Sequence, residues 1–204
     1  MDARGSRSLR CGCRGRERAE PFWSTGGGGP TTSSVSSVEP SAERARDQYL
    51  AENGFSVAAY DEPWNEVSFL FLTFKLPNPP SRRRAIRFHD LHHVATGFGT
   101  DLIGEAEISA WELRRGIGTV GPYVSLLIVQ LALLGLVIAP RRTIAAWRAS
   151  NDSFSLFHGT KPYDELLTMS VAELRAYLGV PTEGIAKGPQ KRHPKAPHYV
   201  DPDR

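Results

Sequence analysis

The chain has 204 residues, 40% of them hydrophobic, and a net charge of +3 from 25 Lys+Arg against 22 Asp+Glu. That is enough for one domain with a sizeable core. A balance so mild, with no basic stripe interleaved with aromatics, argues against a nucleic-acid binder. Residues 1 to 40 are dominated by Arg, Gly, Ser, Thr and Pro, ending in "STGGGGPTTSSVSSVEP". Such a composition cannot bury enough to offset its ordering entropy, so a disordered head is expected. Cys11 and Cys13 lie in it. They are too close for an easy disulfide and too few for a structural zinc site, and no role is assigned to them. No apolar run follows the basic N-terminus, so no signal peptide is legible. The tail 181–204 also reads as disordered and basic, leaving 41–180 as the folded domain.

Within that domain, Ser41, the run "AERARDQYLAEN" and Gly54 give a cap, a helix and a stop. The apolar run 67–77, "VSFLFLTFKLP", fits a strand or a buried helix by period alone; helix is expected, because no second strand is legible to pair with it. Ser81 can cap a helix running to Thr96, broken at Gly97-Phe98-Gly99. Thr100 or Asp101 caps the next, which stops at Gly116, and the two form an αα-hairpin. Arg82, Arg83, Arg84 and Arg87 make one dense basic cluster, either a solvated helix start or a contact for anionic lipid headgroups. The run 123–139, "YVSLLIVQLALLGLVIA", is apolar all round. It is either a central helix buried on every side or one that is inserted in or lies on a membrane, with Arg141 and Arg142 as flanking anchors. Ser170 to Glu173 is a capping box, and Gly179 closes the helix it opens. The fold class is all-α: a helical domain with a metal-binding αα-hairpin and one long apolar helix.

The chemistry concentrates in "RFHDLHHVATGFGTDLIGE", residues 87–105, which holds three of the six histidines. On a helix His89 and His93 lie about 40° apart, and Asp90 lies about 100° from His89 on the side of His93. Gly97, on the same side, removes bulk where a ligand would approach. The hairpin turn returns Glu105 alongside. His89, Asp90, His93 and Glu105 thus form a candidate set of two nitrogens and two oxygens, suited to zinc first and to iron or manganese next. His92 points elsewhere and reads as an exposed or interface histidine, or as a group behind the ligands. Asp101 and Glu112 share the face of Glu105 and are either solvated helix acids or outer supports of the site.

Several known site types use these letters. Membrane fatty-acid hydroxylases and desaturases carry His-x-x-His-His in several boxes, and only one box is present here. A zinc peptidase motif would place Asp90 where a longer Glu base belongs. A His-Asp phosphohydrolase needs an upstream histidine, and none precedes His89.

His89-Asp90-x-x-His93, then eleven residues, then Glu105 resembles the signature of the coenzyme Q (ubiquinone) biosynthesis protein four family. Gly97, Thr100, the Gly104-Glu105 pair, Trp111-Glu112 and the closing "MSVAELRAYLGV" are similar too, so the resemblance spans about residues 70–180. The helical region before the motif is shorter than the family's. The resemblance implies an all-α, metal-binding protein on the cytoplasmic side of a membrane and peripheral to it. Its activity would be an oxidative decarboxylation at the carboxylate-bearing ring carbon of a polyprenylated aromatic precursor. Its partners would be that precursor, the membrane surface and other quinone biosynthesis proteins, with a homodimer as a further expectation and no nucleic acid. The alternatives are a non-catalytic prenyl-lipid-binding scaffold for the quinone biosynthetic complex and a small membrane-associated protein of unrelated role.

Overall fold

The computed structural model describes residues 39–69, 72–149, 153–159, 161–187 and 190–191. The expectations for the head before residue 39, with Cys11 and Cys13, and for the tail after 191 lie outside the described residues. What is described belongs to one compact unit and is mostly helical.

Local signals place most of the helices. Ser41 accepts from the Arg44 amide and starts α1 (Ala42–Glu52), whose buried residues Ala42, Arg46 and Leu50 recur every fourth position. A 3₁₀ turn, Val57–Tyr60, follows. The segment expected as a helix over 67–77 is instead part of an antiparallel hairpin, β1 (Trp64–Phe69) and β2 (Leu72–Pro77), in the register Trp64↔Pro77 to Phe69↔Leu72. The apolar run holds all of β2 but only the second half of β1, so the missing partner straddles the start of the run at Val67. Its β-branched and aromatic residues suit a pleated surface.

Helix α2 (Pro80–Thr96) begins with proline at its first position, not with a Ser81 cap. Proline lacks the amide that would be orphaned there, and its fixed φ is already helical. Gly97, at φ 81°, ends α2 in the left-handed conformation and donates to the His93 carbonyl. Asp101 caps α3 (Leu102–Arg115) by accepting from the Gly104 amide, and the expected αα-hairpin is formed. Helix α4 (Gly121–Ile138) and helix α5 (Pro140–Arg148) pack on α3. A Cβ on Gly135 would stand 2.7 Å from Ala106 Cβ and 2.6 Å from Thr143 Oγ1, so glycine sets how closely the three helices approach. Helix α6 (Tyr163–Thr168) leads to α7 (Val171–Leu178), which carries the expected capping box of Ser170 and Glu173. The main core gathers Leu91, Ile108, Trp111, Leu166, Leu174 and Leu178.

Three further expectations change. Helix α4 is not buried on every side: Val124, Ile128, Ala132 and Gly135 are buried, while Leu133 and Val137 are 57% and 79% exposed. It is long and apolar enough to cross a membrane by length and composition. Arg142 is no free anchor, since its guanidinium makes two bonds to the Glu107 carboxylate, at 2.8 and 2.6 Å. And the packed chain does not stop at Val180. The amides of Ile185 and Ala186 both donate to the Thr96 carbonyl, Gly99 donates to the Gln190 side chain, and Thr100 donates to the Lys191 carbonyl. The last carbonyls of α2 have no partner within the helix, and this segment supplies donors for one of them while burying Ile185 in the core.

Candidate metal centre

Of the four expected ligands, the hairpin brings three together. One ligand atom each from His89, His93 and Glu105 lies within 4.8 Å of the others. The Nε2 atoms of His89 and His93 are 3.1 Å apart, and they lie 3.3 and 3.4 Å from the two oxygens of Glu105. The spacing of four along α2 sets the imidazoles one turn apart on one face, edge to face at 4.7 Å between ring centroids. The turn Gly97–Thr100 is compact enough to return Glu105 beside them. A Cβ at Gly104 would sit 2.1 Å from the Gly99 carbonyl oxygen, so only glycine lets the first turn of α3 rest on the turn that precedes it.

Both imidazoles are aimed from behind. His93 donates from Nδ1 to the Phe98 carbonyl at 3.0 Å and stacks on Tyr49, with ring centroids 5.2 Å apart. His89 donates from Nδ1 to Glu112 Oε1 at 2.8 Å. Each ring therefore turns Nε2 towards the other, and two such lone pairs at 3.1 Å repel unless a proton or a cation lies between them. In the protein alone a proton does this. His89 is held well above the usual imidazole range: burial works against the charge, but Glu112 and Glu105 outweigh it. Burial would raise Glu105, yet the imidazoles of His93 and His89 hold it well below the usual carboxylate range. Two imidazole nitrogens, each oriented by a second partner, and one carboxylate fit a divalent cation.

Glu112 is not a solvated acid, and His92 is not exposed: both are fully buried. The Leu156 amide donates to His92 Nε2 at 2.8 Å, so His92 carries its proton on Nδ1 and gives it to Glu112 Oε1 at 2.7 Å. Burial keeps His92 below its usual pKa, hence neutral. Burial would raise Glu112 too, but its two histidine partners bring it down to about 2. One buried carboxylate oxygen thus orients a ligand on one side and ties the core to residue 156 on the other.

The remaining expected residues go elsewhere. Asp90 is buried beside the cluster and accepts from the Tyr60 hydroxyl at 2.5 Å. Its pKa is raised, burial being the main cause. Asp101 serves as the cap of α3. At Gly97 the nearest atom a Cβ would meet is Ala186 Cβ at 3.6 Å, so it is the positive φ, not close approach, that calls for glycine there. Tyr49, Tyr60 and the Phe98 carbonyl were not foreseen, since nothing in the spacing of α1 or of the 3₁₀ turn points to α2. Comparison of the chain with protein-family models, curated proteins and solved structures gave no match.

Proposed function

We propose that the protein is a metal-dependent, membrane-peripheral enzyme of ubiquinone or related prenyl-quinone biosynthesis. Its reaction would replace the ring carboxylate of a polyprenylated aromatic precursor by a hydroxyl and release CO₂; dioxygen would be the two-electron oxidant, leaving as hydrogen peroxide while water supplies the hydroxyl oxygen. The observation that carries this reading is the set His89, His93 and Glu105 in the order and spacing of the family signature, with one side open. Of the side chains of His89 and Glu105, 21% and 29% reach solvent. Structural metal sites are closed by four protein ligands, whereas three ligands and an open position suit catalysis. A divalent ion held there, zinc first, would act as a Lewis acid on the ring carboxylate or phenolate. The chain's own residues hold and aim it: Glu112 through His89, and the Phe98 carbonyl through His93. Asp90 lies one residue from His89, with its carboxylate held by Tyr60.

A scaffold in which the ion only fixes the hairpin is less well supported. The turn is already fixed by the left-handed Gly97, the Asp101 cap and the bonds with Ile185, Ala186, Gln190 and Lys191. The exposed apolar face of α4 supports a membrane surface as the place where a prenyl tail is met.

The test joins metal content to complementation. Purified protein should carry about one equivalent of Zn, Fe or Mn, lost in His89→Ala/His93→Ala. The wild-type gene should restore ubiquinone in a strain blocked at ring decarboxylation, and Glu105→Gln, folded by circular dichroism, should not. Failure of the wild type to restore quinone overturns the pathway reading. Full activity of Glu105→Gln overturns the cluster as its seat.

A further inference from the structure

A cleft of about 980 Å³ lies between the first turns of α2 and residues 156–159 and 161–163, at the upper end of ordinary small-molecule sites, roughly 300–1,000 Å³. We infer that it binds an anionic amphiphile, a molecule with a phosphate or carboxylate head and an apolar body. The cleft is distinct from the metal cluster: neither His89 nor Glu105 lines it. The inference does not rest on the quinone reading.

The charges come first. Arg83, Arg84 and Arg87 line one wall and Lys161 the other, and no Asp or Glu is among the lining residues. Two of these cations are already paired: Arg87 with Asp61 at 3.2 Å, and Lys161 with Glu165. Arg83 uses only Nε, on the Asn78 carbonyl at 2.9 Å. Arg84 has no hydrogen-bond or ion-pair partner among the described residues. Two guanidiniums therefore keep planar forks of donors available, the geometry that holds carboxylate or phosphate in pairs of bonds.

The floor is apolar. Ala85, Val120 and Phe157, with Phe88 packed against them, belong to the smaller core cluster and border the same space. Arginines at a merely solvated helix start would overlook a polar surface; these rim an apolar one. A second feature shapes the far wall. A Cβ on Gly116 would lie 2.3 Å from His158 Nε2, and one on Gly118 would lie 2.9 Å from its Cε1. Two glycines with φ of 103° and 45° thus make the niche in which the His158 ring sits at the cleft's edge. An anionic head at the arginines and an apolar body over Val120 and Phe157 satisfies both halves of the site.

The test is calorimetric titration of the full chain with decyl phosphate below its micellar concentration, with inorganic phosphate, with decanol, and with phosphatidylcholine vesicles containing about 30% phosphatidylglycerol. Decyl phosphate should bind one to one, at least about tenfold more tightly than inorganic phosphate or decanol. Arg83→Ala/Arg84→Ala should weaken it by about tenfold or more at unchanged circular dichroism. Thr119→Trp should also weaken it, by filling the exposed lip of the cleft without changing its charge. Vesicle binding through the same arginines, alongside decyl phosphate, names a lipid headgroup as the source; monomer binding alone names a free amphiphile; both support the site. Equal binding of inorganic and decyl phosphate overturns it, as does decyl phosphate affinity indifferent to both variants. Arginine-dependent vesicle binding without any decyl phosphate binding overturns it too, because the arginines would then face a bilayer and no cleft ligand.

Discussion

His89 and His93 cannot both turn a lone pair inward at 3.1 Å, so something positive belongs between them. In the protein alone it is the proton on His89, which Glu112 and Glu105 stabilise against the opposing effect of burial. An arriving cation must displace that proton. Metal affinity should therefore rise about tenfold per pH unit through the neutral range, with about one proton released per ion. Titration with Zn²⁺ in buffers of different ionisation enthalpy reads the proton count directly, and a count of zero at pH 7 would contradict the arrangement. The same shifts set the stability of the metal-free chain. His89 has a raised folded pKa, so its contribution is complete below the ordinary value of 6.5 and is lost as pH rises through the folded value. Glu112 has a lowered one, so its contribution is present above the ordinary 4.5 and is lost as pH falls towards about 2. Between those limits the cluster stabilises the apo fold most, and bound metal should extend that range to higher pH.

Among the elements, the α2–α3 hairpin depends on two glycines for different reasons. A Cβ at Gly104 meets the Gly99 backbone, at 2.1 Å from its oxygen and 2.4 Å from its carbon, and backbone cannot swing aside. Gly104→Ala should push α3 off the turn, costing about 2–4 kcal/mol and separating Glu105 from both histidines. Gly97→Ala has space for its methyl and suffers only from φ 81°, so it should cost about 1 kcal/mol and leave metal binding intact. Denaturant midpoints and zinc affinity of the two variants would expose a reversed order. This hairpin was legible in the sequence because its signals are local: a left-handed glycine, an Asp cap and a period of four. Pairing between segments was less legible. The β1–β2 hairpin lay hidden because all of β2 and half of β1 fall within one apolar run. Ile185 and Ala186 are a short apolar signal, and their purpose, covering the end of α2 at Thr96, is visible only once α2 has an end. Likewise the three converging ligands follow from spacing, whereas the turn of Asp90 towards Tyr60 depends on where a 3₁₀ turn 30 positions earlier comes to rest.

For the molecule as a whole, the length and the two faces of α4 decide what it can meet. Its 18 residues make a rod of about 27 Å at 1.5 Å per residue, slightly short of a hydrocarbon core of about 30 Å. One face is already committed, because Val124, Ile128, Ala132 and Gly135 pack inward. The Arg142–Glu107 pair ties the start of α5 to α3. Spanning a bilayer would strip that face and break that pair. Lying in the interface costs neither, and it buries Leu126, Leu133, Leu136 and Val137, with Ile144 and Trp147 of α5 exposed nearby in sequence. At about 0.8 kcal/mol per buried methylene, a handful of such side chains is enough for reversible membrane binding. Leu133→Gln/Val137→Gln should therefore reduce sedimentation with vesicles several-fold while leaving the melting temperature unchanged, because both side chains are exposed in the folded protein. Brominated lipids should quench the fluorescence of Trp147, and Trp147→Phe should lose that quenching. Should the double variant sediment as the wild type does, the face is not the membrane contact. Should it instead abolish a concentration-dependent dimer, the same apolar surface belongs to a second copy of the chain, and α4 is the seam of a homodimer.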